Sequence, residues 1–262
     1  SIVNIHNPSI EIHPVDKGIN TGALVILVPG GGHNTLNVGT EGADFVHFFY
    51  NYGVNTAILR NRLRKDGYDA QTDAVYDAQQ AIRVVRAHAS ELGIDPHKIG
   101  IVGFSAGAEL AAPSALQYDT FDQAHGGSDP LAAVSSRPDF VGLIYPGPTP
   151  FARNANTPVP PEAPPTFIAC AGSGDAQHAI WAEDYFHAFL VARVPNIEMH
   201  IYGNGVHGNG MRARNGEPFG TWTDRFIDWF RDLGFLQKAG IETKAAKDVA
   251  AYAAQRRNGS KS

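Results

Sequence analysis

Lys98-Ile99-Gly100-Ile101-Val102-Gly103-Phe104-Ser105-Ala106-Gly107-Ala108-Glu109-Leu110-Ala111-Ala112 is the stretch whose reading decides the fold. A β-rich run passes through Gly-Phe-Ser-Ala-Gly into an alanine-rich segment, so a strand, a sharp turn and a helix start follow one another. At such a junction G-x-S-x-G sets the serine on a strained turn, and the flanking glycines keep Cβ atoms out of the strand and helix packed there. The hydroxyl of Ser105 then points at substrate, which makes it the candidate nucleophile. A tight strand-to-helix turn without chemistry is the plainer alternative.

Working outward, short β-branched runs bounded by Gly and Pro recur at Ala23–Val28, Asn55–Leu59, Lys98–Val102, Phe140–Tyr145, Thr166–Ala171 and Ile197–Tyr202. They are apolar at consecutive positions instead of alternating, the pattern of strands covered on both faces by helices. The helix between them with the clearest signature spans 72–92, where Val75, Ala78, Ile82, Val85, Ala89 and Leu92 form one stripe, with Gly93 and Pro96 marking its end. Further helices are predicted over 179–192 and 221–233. The alternation predicts a doubly wound, mostly parallel α/β sheet with helices on both faces and ligands at the carboxyl ends of the strands. Ile10–Val15 is expected to add one or two antiparallel edge strands. The proline-dense segment 146–165 reads as a wrapped surface loop bordering the functional edge, and 243–262 as an exposed helical tail fraying at Asn258 and Gly259. No repeat or interdomain linker divides the chain, so residues 1–262 read as a single domain.

Composition narrows the function classes. The 262 residues are 43% apolar and 18% charged, with a formal charge of -5, which suits a folded domain and leaves no general basic field for nucleic acid or anionic lipid. The longest apolar run, Ala23–Val28, has six residues where a membrane-spanning helix needs roughly 20. The single cysteine, Cys170, permits no internal disulfide, and its apolar strand setting suggests a buried, inert thiol. The chain opens at Ser1 with neither an initiator Met nor a signal peptide, and reads as a processed or truncated product.

A serine hydroxyl needs a general base, usually a histidine oriented by a carboxylate, each on a loop after a successive strand. Asp175 follows the strand ending at Ala171, and His207 follows the strand ending at Tyr202 in Gly203-Asn204-Gly205-Val206-His207-Gly208. Among the 11 histidines, His178 is the rival base, but it opens a helix. Glu183 and Asp184 are the rival carboxylates, and they fall on that helix's solvated face. Gly30-Gly31-Gly32, after the first core strand, offers backbone N–H groups for an oxyanion, with Gly31, Gly32 and Ala106 as the expected donors. A phosphate-binding glycine loop fits less well, because neither G-x-G-x-x-G nor a Walker pattern is present. His33 and Trp181 are candidates to shape the substrate pocket, against simple packing. Arg62, in the run Arg60, Arg62, Arg64, Lys65, is a candidate to bind a substrate carboxylate or sugar hydroxyls, against a solvated charge run. No H-E-x-x-H spacing appears, and no metal or cofactor is expected.

Together these segments resemble the α/β-hydrolase superfamily, and more narrowly the bacterial carbohydrate esterases that include acetyl xylan esterase-like proteins. The resemblance runs from about Leu24 to Gly234 and rests on an ordered set: Pro29-Gly30-Gly31-Gly32, Arg62-Leu63, Asp77 through Arg83, Gly93-Ile94-Asp95-Pro96, the serine turn, Arg137-Pro138-Asp139-Phe140, Pro164-Pro165-Thr166-Phe167 and Gly205-Val206-His207-Gly208. It implies an α/β-hydrolase fold with Ser105, Asp175 and His207 as the triad and the glycine loop in the oxyanion hole. It also implies a serine esterase removing a short acyl group, acetyl above all, from carbohydrates such as xylan or xylooligosaccharides through an acyl-enzyme. The partner expected is thus a small-molecule or oligosaccharide ester, with neither nucleic acid nor membrane; the oligomeric state is left open. A carbohydrate substrate suits export, so a secreted or periplasmic location is favoured over the cytoplasm. The chain departs from many relatives at His33, Asn61 and the loop 149–161. Competing readings are a prolyl-oligopeptidase-type peptidase, for whose usual propeller domain the chain has no room, a lipase, or a noncatalytic binding protein on the same fold.

Overall fold

Alternate side chains of the strand Leu24–Val28 go to opposite faces of the sheet in the computed structural model, which describes residues 1–118, 129–208, 210–211, 218–238 and 240–259. Leu24, Ile26 and Val28 join one buried cluster, and Val25 and Leu27 join another. With no solvent side, this strand is apolar at every position. It is β2 of a seven-stranded sheet in the order β1-β3-β2-β4-β5-β6-β7. The others are β1 (Ser9–His13), β3 (Asn55–Arg60), β4 (Ile99–Phe104), β5 (Val141–Ile144), β6 (Thr166–Ser173) and β7 (Glu198–Asn204). All neighbours pair in parallel except β1, which runs antiparallel to β3 with Ser9 opposite Arg60 and His13 opposite Thr56. The edge expected over 10–15 is thus one strand, placed slightly earlier.

The helices are α1 (Asp44–Tyr50), α2 (Asp73–Ala87), α3 (Ala89–Leu92), α4 (Ala108–Leu116), α5 (Pro150–Arg153), α6 (Ala176–Val191), α7 (Trp222–Asp232) and α8 (Lys244–Gly259). One face of the sheet packs against α2, α4 and α6 through Val75, Ile82, Leu110, Tyr185 and Phe189. The other packs against α1 and α7 through Phe45, Phe49, Phe226 and Phe230. That second layer is aromatic, and Phe140 meets Phe230 edge to face at 4.6 Å between centroids, a favourable arrangement of ring quadrupoles. Among the described residues, no helix is long and apolar enough to cross a membrane.

Several expectations are corrected. The helix predicted over 72–92 breaks at His88 into α2 and α3, because the chain turns back toward β4. The short α3 closes with Ile94 N–H bonding Ala89 C=O at 2.8 Å across left-handed Gly93, a Schellman-type stop. Segment 146–165 is not wholly loop, since Pro150 starts one helical turn capped by Thr149. The tail is not simply exposed: α8 buries Ala245, Tyr252 and Ala253, and it runs through Asn258 and Gly259 without a break. Buried Lys98 ties the start of β4 to the approach to that helix, donating from Nζ to the carbonyls of Thr21 (3.2 Å), Gln237 (2.8 Å) and Lys238 (3.2 Å).

The topology locates the site. The chain leaves β2 toward β3 on one side and returns with β4 on the other, so a crevice opens beyond the carboxyl ends of β2 and β4. The loops that leave those ends carry the glycine triplet and Ser105.

Candidate active site

Ser105 follows β4 in the left-handed region, at φ 52. A side chain there costs roughly 1–2 kcal/mol, and the turn tolerates it because its neighbours are glycines. A Cβ on Gly103 would stand 2.6 Å from Ala108 Cα, and one on Gly107 would stand 2.7 Å from the Val28 carbonyl carbon. The two glycines therefore let α4 sit directly against β4 and β2, which fixes where the serine hydroxyl points.

Asp175 follows β6 at the start of α6, with its side chain almost fully buried. His207 lies on the loop after β7. Those two loops are drawn together by the Gly205 N–H bond to Ser173 C=O at 3.2 Å, and Gly174, at φ 89, passes where a Cβ would collide with the Gly205 carbonyl. The result is a continuous line of hydrogen bonds. Ser105 Oγ lies 2.7 Å from His207 Nε2, and His207 Nδ1 lies 2.9 Å from Asp175 Oδ2. With its proton on Nδ1, neutral His207 donates to the carboxylate and accepts the serine proton at Nε2, the polarity required of a general base.

His178, the rival base, is held by the same carboxylate through its other oxygen, Nδ1 to Oδ1 at 2.5 Å, and its ring stacks on His207 at 3.9 Å between centroids. Burial, and then the neighbouring His207, push its pKa down, so it stays neutral beside the base. It does not reach Ser105; it secures Asp175. Asp175, His178 and His207 are also the described residues whose ligand atoms converge, within 4.8 Å, as an ion would need, and hydrogen bonds already occupy those atoms. Glu183 and Asp184 are exposed on α6, as expected of a solvated face.

Ser105 and His207 open onto a cavity of about 440 Å³. Gly31, Gly32 and Ala106 line it beside the serine, and Gly147 and Pro148 of the proline-dense segment border it. The Gly30 amide is not available there, because it donates to Glu41 Oε2 at 2.7 Å. Trp181 lines the cavity, as does Glu109, whose carboxylate is held by Arg153 Nη2 at 2.6 Å. A larger cavity, about 720 Å³, lies between α5, α6 and α8 and shares no lining residue with this one.

Two candidates sit elsewhere. Arg62 does not reach the cavity: its guanidinium grips buried Asp77, with Nη2 to Oδ1 at 2.7 Å and Nε to Oδ1 at 3.0 Å, and it lies over the Tyr68 ring. It belongs to the wall of a separate groove between β1 and α2. His33 is buried with φ 59, its Nε2 3.4 Å from Glu109 Oε1, and it lines a small side cavity of about 160 Å³ next to the main one. Conversely, Glu41, Glu109 and Tyr145 are site residues that sequence reasoning missed. Only Glu109 left a signal, one helical turn beyond Ser105 on the same helix face.

A mostly parallel sheet flanked by helices, with a serine on the β4 turn and an Asp and a His on the loops after β6 and β7, defines an α/β hydrolase. Residues 10–140, half of the chain, match the BD-FAE family model, and the chain belongs to that family. It is 32% identical over 123 residues to endo-1,4-beta-xylanase B of Butyrivibrio fibrisolvens and 29% identical over 126 residues to an acetylxylan esterase of Xylanibacter ruminicola. Those alignments take in 47% and 48% of this chain but span only 19% and 23% of the two relatives. Among solved structures, an acetyl ester-xyloside bifunctional hydrolase of Caldicellulosiruptor lactoaceticus superposes with a TM-score of 0.77 at 27% identity, over 88% of this chain and 90% of that one.

Proposed function

We propose that this chain is a serine esterase that removes short acyl groups, acetyl foremost, from carbohydrate esters. The observation that carries the reading is the line from Ser105 Oγ through His207 to Asp175 at the edge of a cavity lined by Gly31, Gly32 and Ala106. His207 Nε2 takes the Ser105 proton as Oγ attacks the acyl carbon, and the oxyanion that forms faces the amides of Gly31, Gly32 and Ala106. The ester C–O bond then breaks, His207 returns the proton to the sugar alkoxide, and the acyl group stays on Ser105. Water, deprotonated by the same imidazole, attacks that ester and releases the carboxylic acid and free serine. Asp175 holds the His207 tautomer throughout.

The sugar side of the reading is supported by the likeness to proteins whose names specify acetylxylan and acetyl-xyloside substrates, and by the cavity's own chemistry. Trp181 offers an aromatic face, and the Glu109 carboxylate offers hydroxyl-binding oxygens. A panel of acetylated xylan, pectin, feruloyl and simple aliphatic esters tests it. The reading predicts fastest release of acetate from xylan-derived substrates; preference for long aliphatic or feruloyl esters contradicts it.

A further inference from the structure

Three loops of the proposed esterase site meet on a single buried carboxylate. Glu41, 1% exposed, accepts the Gly30 N–H at Oε2 (2.7 Å) and the Tyr145 O–H at Oε1 (2.8 Å). Tyr145 Oη accepts the Gly210 N–H at 3.0 Å in turn, and the Tyr145 ring meets the His207 ring edge-on at 5.0 Å. Tyr145 reaches this place from the end of β5 with φ 38, a left-handed conformation at a bulky residue. A Cβ on Gly30 would lie 2.8 Å from Ser105 Cβ and 3.0 Å from Glu41 Oε2, so the carboxylate is next to the serine turn as well.

We propose that Glu41 and Tyr145 are positioning residues for the hydrolysis: Glu41 fixes the first glycine of the oxyanion loop and, through Tyr145, the segment that carries His207. The proposal rests on the esterase reading and goes beyond it. The carboxylate satisfies the buried Gly30 N–H and Tyr145 O–H, and when ionised it also favours the imidazolium that forms on His207 as Ser105 attacks. The ionisable groups facing Glu41 are Tyr145 and His207; His207 is faced in addition by Asp175 and His178, and Glu109 lines the same cavity. Burial pushes the Glu41 pKa up, against the hydrogen bonds from Tyr145 and Gly30 that oppose it.

The full chain and the variants Glu41→Gln, Glu41→Ala and Tyr145→Phe are compared on 4-nitrophenyl acetate across pH 4.5–9, with thermal midpoints recorded for each. Displacing a reacting group by about 1 Å costs on the order of 10²-fold, so Glu41→Ala is expected to lose about 10²-fold in kcat with KM nearly unchanged. Glu41→Gln, which keeps the shape and one acceptor oxygen, recovers part of that. Tyr145→Phe shows the same kcat loss in smaller measure. If both conservative variants keep kcat within twofold, or if Glu41→Ala raises KM and leaves kcat unchanged, the residues are structural and the proposal fails, whatever happens to the midpoints. If the unmodified chain hydrolyses no ester at all, it is the esterase reading that fails.

Discussion

Replacing Gly107 by alanine tests how tightly the serine turn is bound to the glycine loop. The added Cβ would overlap the Val28 carbonyl oxygen and stand 2.7 Å from the Val28 carbonyl carbon and 2.8 Å from the Pro29 oxygen. Comfortable separations are about 3.5 Å, so something must move by about 1 Å. All three obstructing atoms are backbone, and no rotamer change relieves the clash. Overpacking of this kind costs up to about 3 kcal/mol. At 2–4 °C per kcal/mol for a chain of this size, the thermal midpoint falls by about 6–12 °C. The motion separates Ser105 from the Pro29–Gly32 loop, which is worth about 10²-fold in kcat/KM. Gly32→Ala is the control: at φ 63 it carries left-handed strain of roughly 1 kcal/mol, but it meets only the Asn34 side-chain nitrogen at 3.6 Å, so its midpoint falls far less. Circular dichroism melts and initial rates on 4-nitrophenyl acetate read both quantities. A Gly107→Ala protein with unaltered midpoint and rate would refute the packing argument.

Asp77→Asn breaks the Arg62 pair at a carboxylate that is 1% exposed, with Arg62 itself at 20%, and should cost about 3 kcal/mol in urea unfolding while the folded protein keeps its kcat/KM; a selective loss of activity would return Arg62 to the substrate. His178→Ala removes a hydrogen bond to the Asp175 side chain, so steady-state kinetics should show kcat lower by about tenfold with KM unchanged; complete loss would mean that His178 is itself a base. Burial pushes the Cys170 thiol up to about 12, so iodoacetamide at pH 8 should modify it only after denaturation, and mass spectrometry of the native protein should find it unlabelled.

Much of the fold was legible because strands buried on both faces write continuous apolar runs, and five of the seven were placed within a residue or two on that signal; β7, at the sheet edge and partly exposed, was also placed within two residues but does not carry it. The serine turn was legible because close backbone approach demands glycine at 103 and 107, which leaves a local trace. Asp175 and His207 were separated from their rivals by their place on loops after successive strands, since His178, Glu183 and Asp184 fall on the predicted helix. What stayed hidden depends on contacts between distant segments. Glu41 looks like any surface acid in Val38–Phe45, and only the arrival of Gly30 and Tyr145 makes it a buried acceptor. Arg62 follows a strand among other cations, and its commitment to Asp77 needs α2 to dock first. Tyr252 makes the terminal helix partly internal by joining the core on the α2, α4 and α6 side of the sheet, which composition could not reveal.

The most direct measurement treats the intact protein with a fluorophosphonate probe and locates the adduct by mass spectrometry. The account predicts one adduct, on Ser105, formed much more slowly in His207→Ala and absent from Ser105→Ala, with turnover reduced by about 10³-fold or more in each variant. Labelling elsewhere, or undiminished labelling and turnover in Ser105→Ala, would contradict it.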